Sequence, residues 1–337
     1  MRTDAPTPAA TPSGLVIRPY AGEADHDTIV RLRNAEWAAD GVRSRTSRAF
    51  VDPWLRHASE GFDPRRDLHV AEVGGHPAAV GWSEWTDPTD GVREYWTRGC
   101  VDPDFRRRGV GEALLRHTVD RVRRLAAGHE TERPKVLGLG TSEHNIGAAR
   151  LAERHGYQPV RWFFDMERPL AGELPAVPRL PEGIDVRPVG PEDGSAIWQA
   201  DHDAFLDHWG GHDASEANYR RWVESPEFDP SLFVVAYDGS EIAAAVLNTI
   251  DPDENEQLGV RRGWLDSVFT RRAWRRRGLA RALIVRSLHL LRERGMEVAV
   301  LGVDAENPSG ALGLYESTGF AVTERMTAWR RPLEPGR

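Results

Sequence analysis

Two short segments carry arginine and glycine at the spacing an anion cradle needs. The first reads Val101-Asp102-Pro103-Asp104-Phe105-Arg106-Arg107-Arg108-Gly109-Val110-Gly111. The second reads Phe269-Thr270-Arg271-Arg272-Ala273-Trp274-Arg275-Arg276-Arg277-Gly278-Leu279-Ala280. Each places Arg-x-x-Gly-x-Gly/Ala between an apolar, strand-like run and an amphipathic, helix-like one. A glycine there lets the backbone come close to a ligand, successive N–H groups share one concavity, and a helix N-terminus adds partial positive charge. Arginines beside it supply charge-assisted bonds to phosphate. The chemistry such a segment suits is the grip of a pyrophosphate. Neither copy matches the dinucleotide fingerprint, because no third glycine follows, and neither contains the Gly-Lys-Ser/Thr of a P-loop.

A few other residues could do chemistry. Asp266 stands alone in a mostly apolar strand, and burying a carboxylate without a partner is costly. It is either ion-paired to one of the many arginines or functional, as a base or a substrate anchor. Alternation along that strand puts Trp264, Asp266 and Val268 on one face. Asp304 and Glu306 close the next apolar run and could meet a cationic molecule. His202, His208 and His212 cluster with Asp201, Asp203, Asp207 and Asp213, but no spacing fits a standard zinc motif, so no metal is expected. Glu84 and Trp85 hold a comparable strand position in the first half.

The elements that position these residues occur twice. Arg18-Pro19 recurs as Arg187-Pro188, Phe62-Asp63-Pro64 as Phe228-Asp229-Pro230, Arg106 to Gly109 as Arg275 to Gly278, and Arg168-Pro169-Leu170 as Arg331-Pro332-Leu333. The offsets (187 − 18 = 169, 228 − 62 = 166, 275 − 106 = 169, 331 − 168 = 163) are long enough for two whole domains rather than a solenoid. Pro175, Pro178 and Pro181 stiffen the stretch between the copies. The expected organisation is an N-terminal tail at 1–14, one domain at 15–170, a linker at 171–183 and a second domain at 184–333. Within each copy the patterning reads strand, helical polar stretch (Ala24 to Asp40; Pro191 to His208), then a hairpin. The hairpins pair Leu68–Val73 with Ala78–Trp82, and Leu232–Tyr237 with Ile242–Leu247. A strand into the arginine motif follows (Tyr95–Val101; Trp264–Thr270), then a long helix. In the second copy that helix repeats Leu279, Leu283, Ile284, Leu288 and Leu291 at three and four residues. A further strand (Val136–Leu139; Val298–Val303), a short helix and a last strand complete each copy. The fold class is mixed α/β, with a central sheet flanked by helices in each domain.

Composition sets outer limits. The chain has 337 residues and a formal net charge of −8, which argues against nucleic acid as a partner. A single cysteine, Cys100, excludes an internal disulfide and is compatible with a reducing, cytoplasmic setting. No apolar run approaches a membrane span. The twelve tryptophans supply large buried area for core and interface packing, with shaping of a substrate pocket as the alternative use. Either a monomer or a homodimer is compatible with these features.

Taken in order, strand, Arg-x-x-Gly-x-Gly/Ala, helix, strand, Asn, Ala and Leu-Tyr-x-x-x-Gly-Phe form a pattern that resembles the GCN5-related N-acetyltransferases. The second copy has Arg275-x-x-Gly278-x-Ala280, Asn307, Ala311 and Leu314-Tyr315-Glu316-Ser317-Thr318-Gly319-Phe320. The first has Arg106-x-x-Gly109-x-Gly111, Asn145, Ala148 and Leu151-Ala152-Glu153-Arg154-His155-Gly156-Tyr157. The tandem layout is similar to that of two-domain actinobacterial acetyltransferases of the mycothiol synthase type.

The resemblance implies two tandem domains of that fold, each with an acetyl-CoA (or other short acyl-CoA) site. The pyrophosphate would lie on Arg276, Arg277, Gly278, Leu279 and Ala280 beside Arg275. The pantetheine would pair like a strand with Val268, Phe269 and Thr270, and Asn307 would touch it from the next helix. The matching first-copy positions are Cys100, Val101, Arg106, Arg107, Arg108, Gly109, Val110, Gly111 and Asn145. Acyl transfer needs a deprotonated amine, donors for the oxyanion and a proton for the leaving thiolate. In the family the tyrosine often gives that proton, which implies Tyr315, and an acid near the end of the strand often serves as base, which implies Asp266. The first copy has Ala152 and Thr97 instead, so it is expected to be catalytically degenerate. The function implied is transfer of an acetyl or short acyl group to a primary amine of a small molecule. An acyl-CoA-binding sensor or scaffold, or a protein lysine acetyltransferase, are the alternatives.

Overall fold

The computed structural model describes residues 12–206, 208–210, 213–307 and 310–334. His212 and Asp207, and most of the expected tail, lie outside the described residues. The chain forms two compact units, residues 1–161 with 326–337, and residues 162–325.

The first unit begins with β1 (Leu15–Pro19), then α1 (His26–Ala39), α2 (Arg48–Arg56) and α3 (Pro64–Asp67). It continues with β2 (Leu68–Val73), β3 (His76–Thr86), β4 (Arg93–Val101), α4 (Val110–Ala127), β5 (Lys135–Ser142) and α5 (Ile146–Arg154), and β6 (Gln158–Pro169) leads out of it. The second unit contains β7 (Ile184–Arg187), α6 (Gly194–Phe205), α7 (Glu216–Val223), β8 (Val234–Asp238), β9 (Glu241–Thr249) and α8 (Pro252–Leu258). It then adds β10 (Arg262–Thr270), α9 (Leu279–Glu293), β11 (Val298–Asp304) and α10 (Ala311–Ser317), before β12 (Ala321–Pro332) ends the chain. The mixed α/β class is as expected. Alternation and helical period were enough to locate the hairpins and the long helices to within a few residues.

Each unit has the same sheet. In the first, β1, β2, β3 and β4 are antiparallel neighbours, and β5 joins β4 in parallel. In the second, β7, β8, β9 and β10 are antiparallel and β11 joins β10 in parallel. The crossover helix α4 or α9 covers one face of its sheet. Leu279, Leu283, Leu288 and Leu291 of α9 are buried with Leu265, Ala299 and Leu301. Glycine makes this contact possible, because a Cβ at Gly263 would sit 2.5 Å from Leu291. Buried Asn248 donates to the Leu232 carbonyl (2.7 Å) and the Ser287 hydroxyl (3.0 Å), tying β9 to α9.

The expected division at 15–170 and 184–333 differs from the compact units at both ends. β12 belongs to the second copy by sequence, but its residues Met326 to Pro332 pair antiparallel with β5 of the first unit. β6 belongs to the first copy, yet Phe163 to Pro169 pair with β11 of the second unit. Each copy thus lends its last strand to the other unit's sheet. Trp329 is buried beside Leu137 and Tyr157, and its indole donates to the Thr141 hydroxyl (2.9 Å). Arg330 makes a bidentate pair with buried Glu94 (2.7 and 2.6 Å). The strands of both copies carry similar apolar patterns, so sequence alone leaves open which sheet each completes. The 171–183 segment has no helix or strand, but Leu174 is buried in the second unit's core and His289 bonds the Pro175 carbonyl at 2.9 Å.

A chain ending at Arg325 leaves the β5 edge bare and removes Trp329 from its pocket. Loss of a buried tryptophan alone costs about 3–5 kcal/mol. Thermal unfolding of this truncation should show an early transition absent from the full chain.

Candidate acyl-transfer site

Where β4 and β5 begin, they pair in parallel, with Arg93 opposite Lys135 through Trp96 opposite Gly138. Beyond that point β4 continues to Val101 and β5 to Ser142 without pairing. β10 and β11 behave alike: pairing ends at Trp264 opposite Val300, while the strands run on to Thr270 and Asp304. Each unit therefore holds a wedge between diverging strands, with unpaired backbone groups on its walls. Such groups need partners, and an extended ligand can supply them.

The arginine-glycine loop sits at the open end of each wedge. Arg107 and Arg276 both have φ of 62°, the only non-glycine residues of positive φ recorded among the described ones. Gly109 and Gly278 follow at 83° and 82° as the N-caps of α4 and α9. Left-handed backbone at an arginine is strained, and its recurrence in both units ties it to the loop's purpose. The sequence turns N–H groups toward one concavity at a helix N-terminus. A Cβ at Gly278 would meet nothing within 4 Å, so the space above the loop is open. The residues present therefore fit a diphosphate. Arg275 and Arg106 hold the loop to its strand: Nε donates to the Thr270 carbonyl (3.1 Å) in one and to the Val101 carbonyl (3.5 Å) in the other.

The first unit's wedge opens into a cleft of about 660 Å³ lined by Val101, Arg106, Arg107, Gly109, Gly111, Asn145 and Ala152. Asn145 caps α5 by accepting from the Ala148 N–H (3.0 Å). Thr97 turns its hydroxyl to the Gly138 carbonyl (3.2 Å). Cys100 is buried, and burial pushes its thiol far up, so only its backbone is available for binding. Glu84 pairs with Arg98 (2.6 Å), and Trp85 lies under Arg93, so both are committed to neighbours.

In the second unit Asp266 occupies a β-bulge between Leu265 and Ser267, where the strands part. The bulge overturns the expectation that Trp264, Asp266 and Val268 share a face. An extra residue shifts the alternation by one, so Leu265 and Val268 both pack toward α9 while Phe269 joins the opposite cluster under α6. Asp266 faces the α6 side. Asp266 is exposed to solvent at its surface yet has protein atoms packed densely around it, and that desolvation together with the charge of Asp201 pushes its carboxyl up to about 6. Asp201 is held by the Ser267 hydroxyl. Sequence reasoning missed Glu227, which follows α7. Burial, then the charges of Asp266, Asp251 and Glu254, push it up to about 8. The signal was absent from the motif because Glu227 reaches the site from a loop.

Tyr315 is buried on α10, edge-on to Phe320, and burial pushes its hydroxyl up to about 12. Ala152, its counterpart by repeat, lines the first unit's cleft. Asn307 donates its N–H to the Asp304 carbonyl (3.1 Å). Asp304 accepts from the Glu306 N–H (3.0 Å). His208 packs on Phe205 and Trp209 on Phe163. No group of three or more potential metal ligands occurs among the described residues, and no described helix is long and apolar enough to cross a membrane.

Comparison with known proteins gives one consistent result. Residues 195–320 match the acetyltransferase (GNAT) family model, and residues 64–159 match an acetyltransferase (GNAT) domain model. The mycothiol acetyltransferase of Geodermatophilus obscurus is 31% identical over 307 residues, covering 90% of this chain and 93% of that protein. That of Thermobispora bispora is 31% identical over 311 residues, covering 91% and 96%. A GCN5-related N-acetyltransferase from Sphaerobacter thermophilus superposes with a TM-score of 0.70 at 28% identity, covering 97% of this chain and 98% of that one. A tandem GNAT protein from the clavulanic acid biosynthesis pathway shares the fold, with a TM-score of 0.65 at 19% identity and coverage of 96% and 100%.

Gly278→Ala forces a Cβ into left-handed backbone at a strain of about 1–2 kcal/mol. Calorimetry should show acetyl-CoA affinity at the C-terminal site lowered roughly tenfold, with the far-ultraviolet circular dichroism unchanged.

Proposed function

The chain belongs to the GNAT acetyltransferase family and is an N-acetyltransferase, and on that premise we propose that its C-terminal unit transfers an acetyl or short acyl group from acyl-CoA to a primary amine of a small molecule. The observation that carries this reading is the left-handed pair Arg276 and Gly278 at the mouth of the β10–β11 wedge, with Asp266 at the wedge's floor. The loop from Arg276 to Ala280 holds the diphosphate, and the free edge of β10 from Val268 to Thr270 holds the pantetheine. That edge also offers an N–H to the thioester carbonyl, where negative charge develops as the amine attacks.

The acceptor arrives as an ammonium ion and must lose a proton. Asp266 takes it, directly or through one water. At about 6 its carboxyl is ionised at neutral pH yet more basic than an ordinary aspartate. Asp201 beside it adds negative potential that draws a cation into the site, while Glu227, pushed up to about 8, is mostly neutral at neutral pH. Tyr315 stays protonated because its hydroxyl is pushed to about 12, so it can give the leaving thiolate its proton. The N-terminal unit keeps the wedge and the loop but has Thr97 and Ala152 at the two reacting positions, and we assign it no turnover. The relatives named mycothiol acetyltransferase support a small-molecule acceptor.

A screen of small amines, followed by thiol released from acetyl-CoA, tests the activity; it should include the amine that mycothiol acetyltransferase acetylates. Release with no amine of the panel would contradict this reading. Tyr315→Phe should lower turnover about 100-fold while acetyl-CoA affinity stays within a factor of two or so; unchanged turnover removes Tyr315 from the mechanism. Asp266→Asn should lower kcat/KM for the acceptor by about 100-fold. The wild-type rate should fall as pH drops through about 6, where Asp266 takes up a proton, and that limb should vanish in the variant.

A further inference from the structure

In the N-terminal unit the groups that an acyl-CoA would need are already engaged by a carboxylate. Glu36 of α1 reaches into the wedge. Its Oε1 accepts from the Val101 N–H (3.3 Å) and from the Asn145 side-chain amide (3.4 Å), and it stands 3.7 Å from the Arg106 guanidinium. All four residues line the same cleft. Asp40, the C-terminal cap of α1, holds Arg106 in a bidentate pair (2.5 and 2.9 Å).

The C-terminal unit is built differently at the same places. Buried Ile29 and Leu32 of α1 correspond to buried Ile197 and Ala200 of α6 (197 − 29 = 168; 200 − 32 = 168), which puts Ala204 where Glu36 stands (36 + 168 = 204). Arg275 there donates to the Ala204 carbonyl (2.9 Å). The first turn of α4 carries Glu112, whereas the first turn of α9 has no acid.

We propose that the acyl-CoA site which the family frame implies in the N-terminal cleft is gated by Glu36, whose carboxylate fills the thioester carbonyl's place on the Val101 N–H and must give it up before the ligand enters. The inference rests on the acyl-CoA reading of the shared frame. A thioester carbonyl and a diphosphate are acceptors, so they compete with Glu36 for the same donors, and the diphosphate is repelled by its charge. Neutralising Glu36 removes both obstacles. The charged and titratable groups facing it are Arg33 and Asp40 on its own helix, Cys100 on β4 and Arg106 in the loop that follows, with the Asn145 amide from α5. Burial is the largest influence and pushes Glu36 up to about 7, against the opposing pull of the Val101 N–H and Arg106. Above that pH the carboxylate holds the gate shut. Below it the gate is neutral and releases its donors, so binding takes up one proton and affinity at this site falls up to about tenfold per pH unit on the alkaline side.

The test is isothermal titration calorimetry of the full chain with acetyl-CoA, without acceptor, at about pH 6 and about pH 8.5, either side of the Glu36 transition. Wild type should show two sites at the lower pH and one at the higher. Glu36→Gln should show two at both, and Gly109→Val should remove the pH-dependent one. A stoichiometry and affinity that change with neither pH nor Glu36→Gln would overturn the proposal. Should Glu36→Gln fail to fold, the wild-type pH series with Gly109→Val decides alone. Absence of all binding at both pH values would instead overturn the acyl-CoA reading itself, so the two failures are distinguishable.

Discussion

Everything in this protein depends on two parallel strands that separate partway along their length while a helix aims its N-terminus at the gap. Pairing between β10 and β11 stops at Trp264 and Val300. The residues beyond carry backbone donors and acceptors that the sheet no longer satisfies. A wedge of this kind costs free energy unless something fills it. The loop before α9 adds a second cost by holding Arg276 in left-handed backbone. Both expenses are recovered when an extended ligand with an anionic end lies along the free edge and meets the loop's N–H groups.

The chain builds that frame twice and then charges it differently. In the C-terminal unit Asp266 sits in a bulge where the strands part, burial and the charge of Asp201 raise its affinity for protons, and Glu227 lies within reach of its charge. In the N-terminal unit the acids sit instead on α1 and at its C-terminal cap, where Glu36 holds the Val101 N–H and Asp40 the Arg106 guanidinium. On the readings proposed above, the same backbone serves proton transfer in one place and internal closure in the other. Exchange of β6 and β12 between the sequence copies gives each sheet its final strand.

Much of this was legible in the sequence, for identifiable reasons. The hairpins announced themselves through alternation broken by glycine, and Gly74, Gly75 and Gly239 do adopt positive φ. The long helix from Leu279 showed its buried stripe, and the loop's glycines marked the N-caps of α4 and α9. What stayed hidden depends on three-dimensional neighbours. Register decides that Asp266 lies in a bulge, and no local pattern separates Trp264 and Val268 onto different faces. The destination of a terminal strand depends on which open edge it meets. Glu227 and Glu36 come from a loop and a helix whose sequences read as ordinary polar surface, and only burial beside other acids gives them their character. The short helices α2, α7 and α8 also escaped notice, since their apolar stripes span too few turns to stand out.

The measurement that bears most directly on the central claim is a crystal structure of the chain with coenzyme A bound. The account predicts the diphosphate oxygens on the main-chain N–H groups from Arg276 to Ala280, at ordinary hydrogen-bond lengths of about 3 Å, with the pantetheine running along Val268 to Thr270. A nucleotide found away from that loop, with the β10–β11 wedge empty, would contradict it.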